Sequence, residues 1–540
     1  MKPEMHDKAE SRRPKSEHLP VGPEGRIYTS LNEYPPNYVL FVPPSDFFRI
    51  SDFGFRISNA ARLASIFSLA LIAALAGCAV GPNYKRPAVD KPPTYRSAAS
   101  DTNDLSGSQS FANTGWWETF KDPQLTAYIA EALSNSWDIK IAAARVLEAE
   151  ANLMVTRSQF LPSISGGGDL ITSRTSQKGP VGVPAGVNPQ RNYGDVSVSM
   201  SAYELDLWGR IRRASESARA QLLGNVQAQR AVRQTLVASV ATAYLDLLEL
   251  DLELDISLRT YSIRTNSLEL TTSRETGGVA SMQDVYQAKI LFSTAEAAIA
   301  DTHRRVEQQE NQLSILLGRN PGGILRGQAL VSQARPAQVP PGLPSSLLDR
   351  RPDVRGAEEQ LVSANADIGQ AKAAFYPKVT LTGFYGYQSV ALSDLFTSGA
   401  RTWQFGPTVS MPLFNGGRLR GNLKAARARF EQSLASYKQT IQNAFREVSD
   451  GLIAYQRTQE FRQKQEERTK AHRDATDMAN VRYEGGVTSY LEVLYNEQEL
   501  FNAELGLAQA QRNELLSVVE LYRALGGGWT EPGVQETAKK

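Results

Sequence analysis

Two stretches of the chain contain no proline, and each is longer than any helix that a compact domain can bury. They cover residues 209–320 and residues 413–531. In the first, apolar residues from Val232 to Tyr261 recur every three or four positions, a mean step of about 3.6 residues that marks one face of a helix. The sequence therefore predicts a long helix over residues 209–276, about 100 Å in length at 1.5 Å per residue.

One segment of this predicted helix favours another structure when it is taken alone. LELDLELDI, residues 248–256, alternates apolar and acidic residues in the way that is typical of a strand. Because the proline-free helical pattern continues on both sides, we assign the segment to the helix.

The second half of the chain repeats the first. RETGGVASMQDVYQAKI at residues 274–290 matches RYEGGVTSYLEVLYNEQEL at residues 482–500, which lies 208 positions later, and Gly209-Arg210 recurs as Gly417-Arg418 at the same distance. Upstream, FLP at 160–162 recurs as FYP after 215 positions, so the first copy holds seven extra residues. We place them in a surface loop and expect one structural plan to be built twice.

Each copy predicts a shorter helix that returns antiparallel to the long one. The second long helix falls at 418–484, and the return helices fall at 281–317 and 489–525. Paired glycines at 277–278 and 485–486 end the long helices, since glycine readily adopts the left-handed conformation of a helix C-cap. Helices of this length need partners to cover their apolar stripe, which indicates a coiled-coil-like assembly.

Amphipathic strands precede each long helix. Alternating apolar and polar residues predict strands at about 162–174, 194–207, 378–388 and 403–413, which is the pattern of a transmembrane β-barrel. Four strands cannot close a barrel and open edges are not tolerated in lipid, so the barrel must be shared between chains. A dimer, a trimer or a tetramer would each meet this requirement.

The only cysteine of the chain follows an apolar run at residues 63–75. The run is too short to span a bilayer but has the length of a signal-peptide core. It closes with the tetrapeptide Leu75-Ala76-Gly77-Cys78, which resembles the lipobox of bacterial lipoproteins. The resemblance implies cleavage between Gly77 and Cys78, acylation of Cys78, and removal of residues 1–77 as an N-terminal extension and signal peptide. A buried structural cysteine is the alternative.

The sequence gives no support to an enzyme, a metal protein or a nucleic-acid-binding protein. The formal net charge is +2, so there is no basic excess that would attract nucleic acid. The four histidines are scattered, and the P-loop, HExxH and GxSxG motifs are missing. We therefore expect no catalytic activity, no metal site and no cofactor.

Several motifs together carry a resemblance to a known family. They are GWW at 115–117, YELDLWGRIRR at 203–213, LLDRRPDVRGAEEQL at 347–361, ANADIGQAKAAFYP at 364–377 and LYRALGGGW at 521–529. With the lipobox, they make the mature chain similar over essentially its whole length to the outer-membrane factors of RND-type efflux systems, in the lipoprotein branch of the TolC-like family. The resemblance implies a mainly α fold with a small transmembrane β part. Two tandem repeats would build a long antiparallel α-helical barrel and give four strands to a shared, twelve-stranded outer-membrane β-barrel.

The resemblance also implies partners, a location and a domain plan. Family members are homotrimers of the outer membrane that reach across the periplasm and export small molecules, with a periplasmic adaptor protein and an inner-membrane RND transporter as partners. The implied plan has a lipid-anchored N-terminal segment and equatorial belt at 78–120, repeats at 121–320 and 351–526, an equatorial linker at 321–350 and a C-terminal tail at 527–540.

By the same resemblance, the turns after the long helices are periplasmic tips that contact the adaptor. The tip residues are Gly277, Gly278, Val279 and Ser281 in the first copy, and Gly485, Gly486, Val487 and Ser489 in the second. Taken without the resemblance, these residues are only helix reversals.

A candidate gate lies just beyond the second tip. The family often has an aspartate at the position of Tyr495, and Glu492 lies nearby, with Asp284 as its counterpart in the first copy. Three tyrosines could occlude the pore, or the carboxylates could form a ring that favours cations. Alternatively, the two acids are solvated helix-start residues stabilised by the helix dipole.

The motif RRPD at 350–353 predicts a structural corner, because proline and aspartate both suit the first turn of a helix. Two functions besides efflux stay open. The chain could form the exit duct of a type I protein-secretion system, or a non-conducting coiled-coil lipoprotein scaffold. The scaffold has no use for amphipathic hairpins, whereas efflux and secretion differ in their partners.

Overall fold

The computed structural model describes residues 79–92, 95–96, 111, 115, 121–180, 183–184, 186–335 and 344–528. The predicted cleavage position at Gly77, the predicted lipidation site Cys78 and the end of the predicted C-terminal tail lie outside these residues. Within them, long helices dominate and four strands form one antiparallel sheet, which confirms the predicted fold class.

The two copies follow the same order of elements. The first contains α1 (Pro123–Asn135), α2 (Trp137–Ser158), β1 (Ile164–Arg174), β2 (Gln190–Leu205), α3 (Arg210–Thr276) and α4 (Met282–Leu316). The second contains α5 (Pro344–Arg350), α6 (Pro352–Ala373), β3 (Lys378–Ser389), β4 (Arg401–Ser410), α7 (Arg418–Glu484) and α8 (Tyr490–Ala524). Short 3-10 turns lie at Leu330–Ser332, Leu392–Asp394 and Ser398–Ala400.

Corresponding helices have the same length in both copies. α2 and α6 contain 22 residues each, α3 and α7 contain 67, and α4 and α8 contain 35. Positions therefore correspond one to one, with a shift of 215 residues between α2 and α6 and of 208 residues for the two later pairs.

The long helices predicted at 209–276 and 418–484 and the return helices predicted at 281–317 and 489–525 agree with the structure to within one residue at each end. LELDLELDI is helical, as assigned.

The strand bounds need correction. β2 begins at Gln190 rather than at 194, because Gln190, Arg191 and Asn192 pair with the polar end of β1 and lengthen the hairpin. β4 covers Arg401–Ser410 rather than 403–413. Its ladder with β3 ends at the Lys378–Ser410 pair, and Pro412 has no N–H group with which to extend it.

Glycine and proline set the junctions between elements. Gly209 and Gly417 precede α3 and α7 with φ of 77° and 86°, a left-handed conformation that side chains with a Cβ rarely adopt. Pro352 opens α6, as the corner at RRPD predicts. There, Arg351 forms ion pairs with Asp353 at 2.7 Å and with Glu447 of α7 at 2.8 Å, so the corner joins α6 to α7.

The helices form two open rows. Near the strands, the helices in contact follow the order α2–α3–α6–α7, and toward the tips they follow the order α4–α3–α8–α7. The sheet has the equally open order β1-β2-β3-β4. Within the described residues, α2, β1 and α4 therefore end one side of the protomer, and β4 and α7 end the other.

The main hydrophobic core lies around the middle of α3, where α1 packs on it, and it also contains apolar residues from the end of α8. Asp122 is fully buried there and accepts hydrogen bonds from the Gln124 N–H at 2.8 Å, the Tyr244 hydroxyl at 3.2 Å and the Gln333 amide at 2.7 Å. One carboxylate thus joins α1, α3 and the linker between the copies.

Candidate functional site

Both tips have the same turn geometry. In the first, the Gly278 N–H donates to the Glu275 carbonyl at 2.8 Å and the Val279 N–H donates to the Arg274 carbonyl at 2.8 Å. This is the Schellman motif, in which the residue after the C-cap is left-handed. Gly278 and its counterpart Gly486 take that position, with φ of 73° and 70°. The second glycine of each pair is therefore the one that the turn requires.

Asp284 has a structural role at the start of α4. Its carboxylate accepts a hydrogen bond from the Ser281 N–H at 3.1 Å, and the Ser281 hydroxyl accepts one from the Asp284 N–H at 3.2 Å. This reciprocal pair is a capping box. The geometry matches the helix-start alternative, although the carboxylate stays at the surface of the tip.

Glu492 occupies the corresponding position at the start of α8 but has different partners. It forms an ion pair with Arg482 of α7 at 3.0 Å and accepts a hydrogen bond from the Thr488 hydroxyl. Arg482 thus compensates part of the negative charge that the candidate gate would supply.

Large apolar side chains are exposed at both tips. Val279, Tyr286 and Ile290 are exposed at the first, and Val487, Leu491 and Tyr495 at the second. The Tyr495 side chain is 64% exposed. An exposed apolar patch of this kind is typical of a surface that meets another protein.

Aromatic contacts link the two tips within the protomer. The Arg274 guanidinium of α3 lies 5.3 Å from the centre of the Tyr483 ring on α7, and that ring lies 4.8 Å from the ring of Tyr490 on α8. Burial raises the pKa of the Tyr490 hydroxyl to about 12, so it stays protonated at neutral pH. The contacts hold the end of α3 against α7 and α8.

The sheet has one apolar and one polar face. Cross-strand partners share a face, and Val198, Tyr385 and Trp403 are such partners across β2, β3 and β4. All three are exposed in the protomer. Asp169, Asp195 and Gln388 are partners on the opposite face of β1, β2 and β3. This division suits a barrel wall with lipid on one side and water on the other.

Buried charged residues between the helices were not expected from the sequence. Glu249 on α3 is 1% exposed, and no hydrogen-bond donor reaches its carboxylate oxygens. Arg512 of α8 approaches the Glu249 carboxylate to 3.8 Å, while Arg305 of α4 forms an ion pair with the neighbouring Glu253 at 2.6 Å. Burial, together with repulsion from Glu253, raises the pKa of Glu249 to about 8.

A cavity of about 520 Å³ lies closer to the tips, between α3, α7 and α8. Arg264 lines it, donates to the Leu291 carbonyl of α4 at 2.7 Å and donates to the Gln498 amide oxygen of α8 at 2.9 Å. Burial lowers the pKa of Arg264 and raises that of neighbouring Glu497. We call the buried charged residues along α3, from Glu249 to Arg264, the charged seam. In the sequence, the strict helical spacing of polar residues on α3 was the only signal that could have identified it.

The N-terminal segment 79–92 runs from the base of the strands along α6. The Val80 N–H donates to the Trp208 carbonyl at 3.0 Å, where β2 joins α3, and the Tyr84 hydroxyl donates to Glu358 of α6 at 3.1 Å. Trp208 stacks on Tyr376, which lies just before β3, at 4.8 Å. Ala79 therefore lies at the helix-side end of the sheet.

In the described part of the chain, no cluster of three or more His, Cys, Asp or Glu side chains has a geometry that could hold a metal ion. A membrane-spanning stretch is likewise absent from every helix in the described ranges.

Comparison with known proteins gives one consistent result. The family profile described as outer membrane efflux protein matches residues 128–319 and 343–527, once in each copy. The chain is 35% identical over 472 residues to the antibiotic efflux pump outer membrane protein ArpC of Pseudomonas putida, which covers 86% of this chain and 96% of that protein. It is 36% identical over 460 residues to the solvent efflux pump outer membrane protein SrpC of the same species, covering 84% and 96%.

A solved structure agrees with these relatives. The open state of the MtrE outer membrane channel of Neisseria gonorrhoeae superposes with a TM-score of 0.75 at 30% identity, covering 84% of this chain and 99% of that one.

Proposed function

Because the chain belongs to the outer membrane efflux protein family, we propose that three copies close into the outer-membrane channel of a tripartite efflux pump. The protein is a transport component that resides in the outer membrane and extends into the periplasm. The observation that carries the closed ring is that the protomer is open at both sides, in its sheet and in both helix rows. Repeating one contact from copy to copy closes all three rows and leaves no strand edge in lipid.

The number of strands favours three copies over two. Three copies of a four-stranded sheet give twelve strands, which is wide enough to enclose water, whereas a barrel of about eight is filled by side chains. The division of the sheet into an apolar and a polar face supports a barrel with a wet interior.

Partners are proposed for the far end of the helices. The exposed apolar side chains at the two tips suit contact with a periplasmic adaptor protein, which would connect the channel to an inner-membrane RND transporter. Three copies of Tyr495 near the axis would form the gate, with Glu492 and Asp284 leaving a negative collar that attracts cations.

A lipid anchor at Cys78 completes the proposal. Residue 79 lies beside Gly209, at the junction of strand and helix, where a Cβ on Gly209 would be 2.8 Å from the Ala79 Cβ. An acylated residue 78 would therefore start at the edge of the membrane-spanning sheet, within reach of the inner leaflet.

Small molecules are the proposed cargo. The names of the relatives ArpC and SrpC mention antibiotics and solvents, which share little except low molecular weight. A wide, water-filled duct could pass both kinds of molecule, so the inner-membrane transporter would select which substrates are exported.

Conductance and cargo assays test the proposal. The purified full-length chain should give stepwise conductance in planar bilayers and a trimer mass in native mass spectrometry; a non-conducting scaffold would give no steps. Deleting the gene should raise intracellular accumulation of a dye such as ethidium. Unchanged accumulation, together with loss of a secreted protein, would instead support the type I secretion duct.

A further inference from the structure

We propose that the apolar, lipid-facing side of the sheet binds a phosphorylated glycolipid of the outer leaflet, with Arg174 and Arg401 as the groups that hold its phosphates. This inference rests on the proposed channel, whose sheet crosses the outer membrane, and it names a lipid that the channel would hold there. The observation that carries it is the distribution of charge on the sheet, which the strand register assigns residue by residue.

Arg401 lies on the apolar face, which we call the outward face. Tyr385 and Trp403 are cross-strand partners on this face of β3 and β4. Tyr387 and Arg401 form the pair two residues farther along the same ladder. Because side chains two residues apart on a strand point to the same side, Arg401 is directed outward as well.

Arg174 lies on the outward face at the opposite edge of the sheet. Its cross-strand partner is Gln190, which lies eight residues before the outward Val198 on β2. The register of β2 shifts only after Met200, so the alternation is unbroken between these two residues. The side chains of Arg174 and Arg401 are both exposed in the protomer, and neither has an ion-pair partner among the residues that the structure describes.

The two arginines are the only charged residues on the outward face of the four strands. Asp169, Arg191, Asp195, Glu204 and Lys378 are the other charged residues of the strands, and the register places all five on the opposite, inward face. The cost of charge in lipid explains why the middle of the outward face has none. It does not explain why both outward charges are arginines and why both lie at the same end of the sheet.

That end of the sheet faces the cell exterior. β1 ends at Arg174 and β4 begins at Arg401, so both residues lie at the strand ends farthest from α2 and α7, which extend into the periplasm. A tilted strand that advances two residues, from Trp403 to Arg401, rises by about 5 Å. Aromatic side chains mark the level of the membrane interface, which places Arg401 among the headgroups of the outer leaflet.

Exposed apolar side chains lie beside Arg401. The Phe396 ring, in the loop between β3 and β4, lies 5.7 Å from the ring of Tyr387, the cross-strand partner of Arg401. This contact holds the loop on the outward side of the sheet. Phe396 is 71% exposed, and Val390 and Leu392 of the same loop are exposed too. A cation next to apolar side chains fits an amphiphile with an anionic headgroup and acyl chains.

The chemistry of the arginines favours phosphate as the anionic group. A guanidinium donates two parallel hydrogen bonds to one phosphate, and it is more weakly hydrated than an ammonium group. The single acid of the neighbouring loop, Asp394, accepts a hydrogen bond from the Ser393 hydroxyl at 3.4 Å rather than pairing with Arg401.

The position of the arginines favours a glycolipid over a glycerophospholipid. Phosphorylated glycolipid forms the outer leaflet of a typical bacterial outer membrane, whereas glycerophospholipids form the inner leaflet. Near the helices, where the outward face meets the inner leaflet, its strand residues include no arginine or lysine. In the proposed ring, β4 of one copy borders β1 of the next, so each junction would contain one outward arginine from each copy.

Lipid titration of the full-length native channel is the first test. The trimer in detergent is titrated with lipid A, with dephosphorylated lipid A and with phosphatidylglycerol, and bound lipid is measured by native mass spectrometry. Lipid A should bind at least about tenfold more tightly than either of the others, because only it offers phosphates on a glycolipid to the arginines. Equal binding of the dephosphorylated lipid would overturn the role of phosphate, and equal binding of phosphatidylglycerol would overturn the assignment to a glycolipid.

Charge removal tests the two residues. Arg174→Gln/Arg401→Gln should bind lipid A at least about tenfold more weakly than the native channel, and each single variant should lose part of the affinity. Arg191→Gln is the matched control, because it removes an arginine from the same end of the sheet but from the inward face. Its affinity should equal that of the native channel.

The alternative role for the two arginines is to reach past the lipid into water, as long charged side chains do at a membrane surface. Native affinity for lipid A in the double variant would support that role and overturn the proposal. A channel that forms trimers and conducts but binds no lipid A would contradict this inference alone. A chain that gives neither trimers nor conductance would contradict the proposed channel itself.

Discussion

Glu249 shows how a single residue in the helix row can respond to pH. Its carboxyl has no hydrogen-bond donor, lies beside Glu253 and is shielded from water, so the protonated form is favoured up to a pKa of about 8. Facing charges come from Asp246 on the same helix, Arg305 on α4 and Arg512 on α8. The two arginines reach Glu253 and Asp246 more closely than Glu249, which leaves Glu249 without a compensating charge of its own.

We predict that Glu249→Gln stabilises the protein at alkaline pH. The ordinary pKa of glutamate is 4.5, so the folded chain retains a proton that the unfolded chain releases. Stability is therefore fully present below pH 4.5 and falls as the pH rises toward 8. The loss is at most about 1.4 kcal/mol per pH unit. Thermal unfolding at pH 5, 7 and 9 should show a smaller decline for Glu249→Gln than for the native chain. The exposed Glu269→Gln on the same helix is the control, and an equal decline in all three proteins would contradict the prediction.

We predict that Tyr495→Ala raises single-channel conductance. Three tyrosines near the axis would occlude the pore by bulk, and alanine removes the ring without changing charge. Tyr286→Ala is the matched control, because Tyr286 is similarly exposed at the first tip. Unchanged conductance in Tyr495→Ala would place the constriction elsewhere on the tip.

We predict that Glu492→Gln mainly reduces the cation preference of the channel. The reduction should be strong because Arg482 would lose its ion-pair partner.

At the scale of elements, the sequence predicted the helices whose own residues mark their extent and their ends. α3 and α7 were predicted because they are long, free of proline and bounded by glycine. α2 was missed because Ile141, Leu147 and Met154 are apolar but exposed in the protomer, so no single apolar face stands out. The charged seam was missed for a related reason: Glu249 and Glu253 made α3 resemble a strand, and sequence does not reveal which helix faces them.

The tips offer an element-scale prediction with an internal control. Gly278→Ala should destabilise the first tip by about 1–2 kcal/mol, because its φ of 73° is left-handed although no atom lies within 4 Å of the new Cβ. Gly277→Ala should be close to neutral, since φ there is −77° and the nearest contact, to the Ser273 carbonyl, is an ordinary 3.5 Å. Hydrogen exchange at the end of α3 would compare the two variants, and equal effects would show that the left-handed φ of Gly278 does not decide the stability of the turn.

At the scale of the whole molecule, the N-terminal segment 79–92 is held on the helices by contacts of its own. The segment is fixed to the protein by its own contacts, including the Asn365 amide donating to the Pro82 carbonyl at 3.0 Å and Arg86 paired with Asp349 at 3.0 Å. These contacts do not involve residue 78. The position of the segment therefore does not depend on whether a lipid is attached to it.

We predict accordingly that Cys78→Ser removes the lipid but leaves the channel able to insert and conduct. The strands supply most of the apolar surface that meets the bilayer, whereas acyl chains add an anchor of about 0.8 kcal/mol per buried methylene group. Intact-mass measurement should show the native chain starting at residue 78 with added acyl mass, and the variant without that mass. Conductance steps and trimer mass should be the same in both. Peptides from residues 1–60 in purified envelope protein would refute the processing, and a variant that folds but no longer enters the membrane would show that the lipid, rather than the barrel, directs insertion.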